Sequence, residues 1–260
     1  MSFEKGFTLQ NIRLRVAYDG TDYGGFQIQK NSVTVQEKLE KALSKVYGTD
    51  IRVRGAGRTD SGAHALGQAV NYKAKPFLPV ERIPWVLNEK LPKDIVVWEA
   101  AQVPEEFHAI YHARAKTYTY TIDTAVFIQV LRRRYAWHCP FPVNIKLMEE
   151  GCRIFKGKHD FRAFRASGTD IKNTVRTIFH AGVTENKEEQ TIVFRVEGSG
   201  FLYKMVRFMA GTLVRMGKGV LSPADLKKAL EGSSAHRIAP ALPARGLCLE
   251  KVDYGEFEGE

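Results

Sequence analysis

Cysteine is scarce in this chain: three residues in 260, Cys139, Cys152 and Cys248, odd in number and far apart. No Cys-x-x-Cys pair occurs, so neither a zinc site nor a disulfide framework is indicated. Long apolar runs are missing as well. The opening Met1-Ser-Phe-Glu-Lys-Gly-Phe-Thr-Leu-Gln10 holds no apolar signal core, and no stretch approaches the ~20 apolar residues that cross a bilayer. These absences predict a cytoplasmic protein. Phosphate-cradling motifs are lacking too, since neither a P-loop nor a dinucleotide fingerprint occurs. Gly55-Ala-Gly57 is followed by no glycine three residues on, and Gly198-Ser-Gly200 lacks the flanks of a nucleophile elbow. His108 and His112 stand four apart, but Ala109 occupies the glutamate position of a metalloprotease helix, and no third ligand has sensible spacing. They read as ordinary polar histidines. A cofactor-free enzyme or a binding module is left.

What the chain has in surplus is positive charge. Lys and Arg outnumber Asp and Glu by 39 to 29, a formal net charge of +10. That balance favours a polyanionic partner, nucleic acid before membrane, because no basic amphipathic anchor accompanies it. Hydrophobic residues make up 44% and charged ones 26%, which excludes wholesale disorder. At this length the core belongs to one large domain or two of ordinary size.

The first half reads β-α-β-β-α-β. Ile12, Leu14 and Val16 alternate with Arg13, Arg15 and Ala17 as in a half-buried strand. Tyr18 to Phe26 is turn chemistry, a glycine loop whose aromatics cap the core. Thr34-Val-Gln-Glu37 has capping-box spacing, Val35, Leu39, Leu43 and Val46 share a helix face, and Gly48 supplies the stop. Ile51 and Val53 against Arg52 and Arg54 predict a second strand, and residues 67–73 a third. Residues 79–90 predict a helix with Pro84 early in it, and Ile95 to Trp98 a fourth strand. The second half repeats the order. Strands are expected at 116–122, 174–183, 190–197 and 247–252, and helices at 144–155, 201–217 and from the Ser222 cap. The expected fold class is α+β, with two ferredoxin- or RRM-like halves whose antiparallel sheets form a central basic cleft. The halves meet near residues 104–112 with no low-complexity linker, giving domains 1–107 and 108–260.

One stretch has a composition that a plain hairpin does not need. Gly55-Ala-Gly-Arg-Thr-Asp-Ser-Gly-Ala-His64 places Arg58, Thr59, Asp60 and Ser61 among three glycines, next to strand-like runs. A polar surface turn is the plain alternative. In the strand Ala115-Lys-Thr-Tyr-Thr-Tyr120, Tyr118 and Tyr120 share a face, and a core pair is the plain reading. In the helix from Phe201, the apolar face Leu202, Met205, Val206 and Met209 leaves Arg207 at its border, where an arginine ordinarily faces solvent.

The string GRTDSGAHA resembles the active-site motif of the tRNA pseudouridine synthase A (TruA) family. So do the YxG and Phe-Gln-x-Gln elements of residues 18–29, the RxxxYxY strand from Arg114, and FxxxMVRxxxG from Phe201 to Gly211. Phe107-His-Ala109, Gly157-Lys-His-Asp-Phe161 with Phe164, and Pro243-Ala-Arg-Gly-Leu247 extend the resemblance from Arg13 to about Val252. It implies that Asp60 carries the chemistry, that Tyr118 stacks on the target base and that Arg207 pairs with Asp60. The first domain then carries the catalytic loop, the second the tyrosine and arginine. The resemblance further implies that Arg58, Phe107, His108, Arg165 and Leu247 bind RNA, with Arg58 suited to fill the stack that the base vacates. The implied reaction turns uridine into pseudouridine in the tRNA anticodon stem-loop, at tRNA positions 38, 39 and 40. It uses neither metal nor cofactor, in a homodimer that holds tRNA across both subunits. An ionised carboxylate in a site that excludes water needs a counter-charge, and Arg207 is the implied one. One departure stands out: Ile110 occupies a position where the family usually has arginine. A non-catalytic RNA-binding protein would have no use for Asp60 with Arg207. A synthase acting on another RNA is the stronger alternative.

Overall fold

The computed structural model describes residues 9–76, 78–168, 171–232 and 237–255. They form two compact units. The first takes the described residues up to Arg114 together with those from Lys251 on, and the second is Ala115–Glu250. The division thus falls beyond the expected 107/108. Hydrogen bonds explain the difference: the Phe107 carbonyl accepts from Asn11 Nδ2 at 2.9 Å, and the Ala109 carbonyl from the Tyr254 hydroxyl at 2.8 Å. Arg114 N–H donates to the Asp253 carbonyl at 2.8 Å. The connector is therefore fastened to the first unit before the chain leaves it.

The first unit runs β1 (Gln10–Tyr18), α1 (Val35–Tyr47), β2 (Arg54–Gly55), β3 (His64–Ala74), α2 (Ile83–Asn88) and β4 (Ile95–Val103). Its strand order is β4-β1-β3-β2, antiparallel throughout, the split βαβ arrangement. Ile12, Leu14 and Val16 are buried, as their alternation requires. Helix α1 begins where Thr34 Oγ1 accepts from Glu37 N–H at 3.3 Å and ends at Gly48, whose φ of 66° is left-handed. The Glu37 carboxylate is held by Lys41 one turn on and, more weakly, by the Thr34 backbone N–H, the reciprocal half of the expected capping box. Two expectations are corrected. Ile51 and Val53 are buried, yet only Arg54–Gly55 joins a ladder. The helix expected over 79–90 is a short 3-10 turn, Val80–Arg82, followed by α2, whose first turn holds Pro84, the position where a missing N–H costs no helical bond.

The second unit runs β5 (Ala115–Asp123), β6 (Trp137–His138), α3 (Ile145–Phe155), β7 (Gly157–Asp160), β8 (Val175–Asn186), β9 (Thr191–Gly198), α4 (Met205–Gly217), α5 (Pro223–Leu230) and the greater part of β10 (Leu247–Asp253), whose residues from Lys251 on belong to the first unit. The order from β10 is β10-β5-β9-β8-β7. Leaving aside the unexpected β6 and β7, the β-α-β-β-α-β succession and its strand order repeat those of the first unit. Helix α4 is buried on nearly every side, so it is the central helix rather than an amphipathic one. It starts at Met205 rather than Phe201, because Lys204 adopts a left-handed φ of 61° that ends the preceding turn. Gly211 is required by close approach: a Cβ there would lie 2.2 Å from the Pro240 carbonyl oxygen. No helix among the described residues is long and apolar enough to cross a membrane.

Candidate active site

The loop between β2 and β3 carries Asp60, and the loop after β1 holds it on both flanks. Before Asp60, the Thr59 hydroxyl lies 2.7 Å from the Tyr18 hydroxyl, and the Thr59 carbonyl accepts from Phe26 N–H at 3.3 Å. After Asp60, the Tyr23 carbonyl accepts from Ser61 Oγ at 3.2 Å and from Gly62 N–H at 3.3 Å. The Asp60 carbonyl itself accepts from Ala63 N–H at 3.1 Å. At the base of the turn, Gln68 Nε2 donates to the Gly57 carbonyl at 2.7 Å. Two glycines permit this contact. A Cβ on Gly20 would sit 1.8 Å from the Ala63 carbonyl oxygen, and one on Gly25, whose φ is 97°, 2.6 Å from that of Thr59. His64 closes the clamp: Nδ1 accepts from Gly20 N–H at 3.1 Å and lies 3.2 Å from Asp19 Oδ1. Asp60 is partly exposed and Arg58 exposed, whereas Thr59 is buried. The result is a carboxylate presented on a backbone that cannot swing.

Farther along the first unit, Phe107 is buried edge-on against Tyr254, ring centroids 5.0 Å apart. His108 Nδ1 accepts from Ile110 N–H at 3.1 Å, and the His108 ring lies 4.3 Å from that of Tyr111. Burial first, then the nearby charge of Arg54 and of His112, pushes His108 below its ordinary pKa. His112 Nδ1 accepts from His108 N–H at 3.0 Å. Both histidines serve the local backbone, and no cluster of three metal-ligating side chains occurs among the described residues. Ile110, at the position of the family arginine, is exposed.

In the second unit, Tyr118 is 7% exposed and meets Phe201 edge-on at 5.1 Å. Tyr120 is a core residue whose hydroxyl donates to the Pro243 carbonyl at 2.7 Å. Arg207, in the first turn of α4, donates from Nε to the Leu242 carbonyl at 2.6 Å, while Leu242 N–H donates to the Arg207 carbonyl at 3.2 Å. The segment 242–247 is thereby strung between β5 and α4, and Leu247 is buried. Arg165 Nη1 donates to the Ile171 carbonyl at 2.6 Å. Of the residues singled out from sequence, Arg58, Asp60, Phe107 and His108 belong to the first unit. Tyr118, Arg165, Arg207 and Leu247 belong to the second. Sequence reasoning singled out Tyr18 and Thr59 separately but did not pair them. The glycines beside Tyr18 and Phe26 signalled a loop of close approach, but not what it approached.

Two split βαβ units, a net charge of +10 and a clamped carboxylate loop make this an α+β protein with a candidate active site and the charge balance of a protein that meets a polyanion. Residues 15–112 and 152–255 match the family described as tRNA pseudouridine synthase. Three relatives are named tRNA pseudouridine synthase A. That of Thermoanaerobacter sp. (strain X514) is 42% identical over 246 residues, covering 95% of this chain and 100% of the relative. The Clostridium acetobutylicum protein is 40% identical over 246 residues, with the same coverage of 95% and 100%. The Maridesulfovibrio salexigens protein is 42% identical over 250 residues, covering 95% and 92%. Among solved structures, a Cbf5-Nop10-Gar1 complex is similar at a TM-score of 0.37 and 11% identity, over 95% of this chain and 50% of the other, an overlap too weak to carry an argument. The chain belongs to the tRNA pseudouridine synthase family. It is an isomerase that converts uridine to pseudouridine in tRNA.

Proposed function

We propose that the chain isomerises uridine in the tRNA anticodon stem-loop, with Asp60 as the catalytic carboxylate, Arg207 as its counter-charge and Tyr118 stacked on the extruded base. The observation that carries this reading is the clamp on both sides of Asp60, which spends two glycines and a buried hydroxyl pair on fixing one carboxylate. In the reaction the C1′–N1 bond breaks, the base turns, C5 bonds to C1′, and the C5 proton leaves while N1 takes one up. Asp60 attends the C1′ carbon as nucleophile or base. Flipping the uridine out of its stem costs a few kcal/mol, and stacking on Tyr118 offsets about 1–3 kcal/mol of it. The edge of Phe201 fixes the plane of that tyrosine. Bonding between Arg207 Nε and Leu242 likewise fixes the plane of the guanidinium, which suits a fork aimed at a carboxylate. Arg58 fills the vacated stack, while His108 and Arg165 face RNA. Phe107 and Leu247, both buried, shape the surface beneath it.

The same reading makes the protein a cytoplasmic homodimer gripping one tRNA across both subunits. Exposed apolar side chains support self-association. Phe127 is 81% and Leu131 91% exposed, and Val126, Ile128 and Val130 accompany them between β5 and β6. Arg133 and Arg134 flank this loop on one side. On the other stands the acidic β8–β9 turn, to which Arg132 Nη1 is tied through the Glu189 carbonyl at 2.7 Å. Unlike charges at one patch suit an isologous contact. The test of function is incubation with tRNA carrying tritium at uridine C5. Tritium is released from the anticodon arm if the reading holds. No release, or release from another arm alone, overturns it.

A further inference from the structure

The Tyr18–Thr59 contact does more than fill the core. Tyr18 is 4% exposed and Thr59 7%, and their hydroxyl oxygens lie 2.7 Å apart. The register of β1 on β3 shifts between Val16 and Tyr18. The extra residue lies on β3, where three steps from Ala65 to Gln68 face two from Val16 to Tyr18, and bulges recur beside active sites. Tyr18 keeps the buried face of Ile12, Leu14 and Val16, and from there meets the residue immediately before Asp60. The tilted Phe26 ring, 6.3 Å from that of Tyr18, belongs to the residue whose N–H holds the Thr59 carbonyl. Side chain and backbone of Thr59 are therefore both referred to β1 and the loop leaving it.

We infer that Tyr18 is a positioning residue, setting the Asp60 carboxylate through the Thr59 hydroxyl. The inference rests on Asp60 being the catalytic carboxylate. Rate follows because a reacting group displaced by about 1 Å loses up to ~100-fold. Stability follows a different rule. Removing one partner of a buried pair strands the other, whereas replacing both by apolar groups of like shape is nearly neutral. Stability and rate thus separate in a double variant.

The experiment measures single-turnover rate, tRNA Kd and thermal midpoint for Tyr18→Phe, Thr59→Val, the double variant and Thr59→Ser. The expected result is a 10- to 100-fold loss of rate in each single hydroxyl-removing variant with Kd within about twofold. The double variant regains much of the midpoint but stays as slow as the singles, and Thr59→Ser keeps the wild-type rate within about threefold. If the double variant regains rate together with midpoint, or Tyr18→Phe turns over like wild type, the inference is wrong. Should Thr59→Val not fold, Tyr18→Phe and Thr59→Ser decide between the same outcomes. Asp60→Asn run alongside separates the two readings. Its retaining turnover overturns the carboxylate assignment itself, whereas its inactivity beside a fully active Tyr18→Phe overturns only the role given to Tyr18.

Discussion

The Tyr120 hydroxyl donates to the carbonyl oxygen of Pro243 at 2.7 Å, 123 residues away in sequence. Burial raises the Tyr120 pKa, so the hydroxyl stays a donor through the working pH range. The bond fixes one end of the segment whose other contact is Arg207. Tyr120→Phe is expected to cost about 0.5–1.5 kcal/mol. Gly246→Ala should cost more, about 1–3 kcal/mol, because a Cβ there would lie 2.7 Å from the Tyr120 ring and 2.8 Å from the Thr121 carbonyl oxygen. Denaturant unfolding of the two variants orders them. Equal stability of Gly246→Ala and wild type contradicts the packing.

Gly20 tests the clamp from the opposite side. With a Cβ 1.8 Å from the Ala63 backbone oxygen, Gly20→Ala forces the two loops apart. Turnover should fall about 100-fold or more, since the carboxylate moves with its loop, and the Gly20 N–H to His64 bond should open. A variant that keeps the wild-type rate shows that the loops need not touch for catalysis.

His108 gives a pH signature. Its imidazole accepts the Ile110 N–H at Nδ1, and burial with the charges of Arg54 and His112 holds its pKa below 6.5 in the fold. The neutral form is the one folding favours. Its contribution to stability is therefore fully present above the unfolded pKa of about 6.5 and is lost as pH falls through the lower folded value. An NMR titration of the His108 ring should show a midpoint below 6.5, and a midpoint at or above it contradicts the burial argument.

Salt provides a measure of how tRNA is held. A net charge of +10 and the absence of a base-reading motif predict binding through phosphates and shape. Affinity should fall by about tenfold or more between ~50 and ~200 mM monovalent salt. Filter binding across that range checks it, and a flat response argues against electrostatic grip.

Much of the fold was legible because its signals are local. Thr34 and Gly48 bracket α1 by side-chain capping and by φ freedom, and Ser222 with Pro223 opens α5 in the same way. Where the outcome depended on partners distant in sequence, local pattern failed. Ile51 and Val53 alternate like a strand but find no ladder. The helix at Arg207 starts late because Lys204 takes a left-handed turn that no propensity announces. Within the site, Asp60 announced itself by standing among glycines. The groups that hold it did not, for a tyrosine ending a strand and a threonine in a turn look ordinary until 41 positions of sequence are folded into one 2.7 Å contact.

The account stands or falls on the Asp60 carboxylate. The direct measurement is single-turnover release of tritium from C5-labelled uridine in tRNA, by wild type and by Asp60→Asn, with tRNA affinity measured in parallel. Replacing one carboxylate oxygen by an amide keeps the size of the side chain and removes its charge. The expected result is no detectable turnover, with affinity within about tenfold of wild type, roughly 1.4 kcal/mol. Turnover by Asp60→Asn near the wild-type rate would contradict the assignment and return the clamped loop to a structural role.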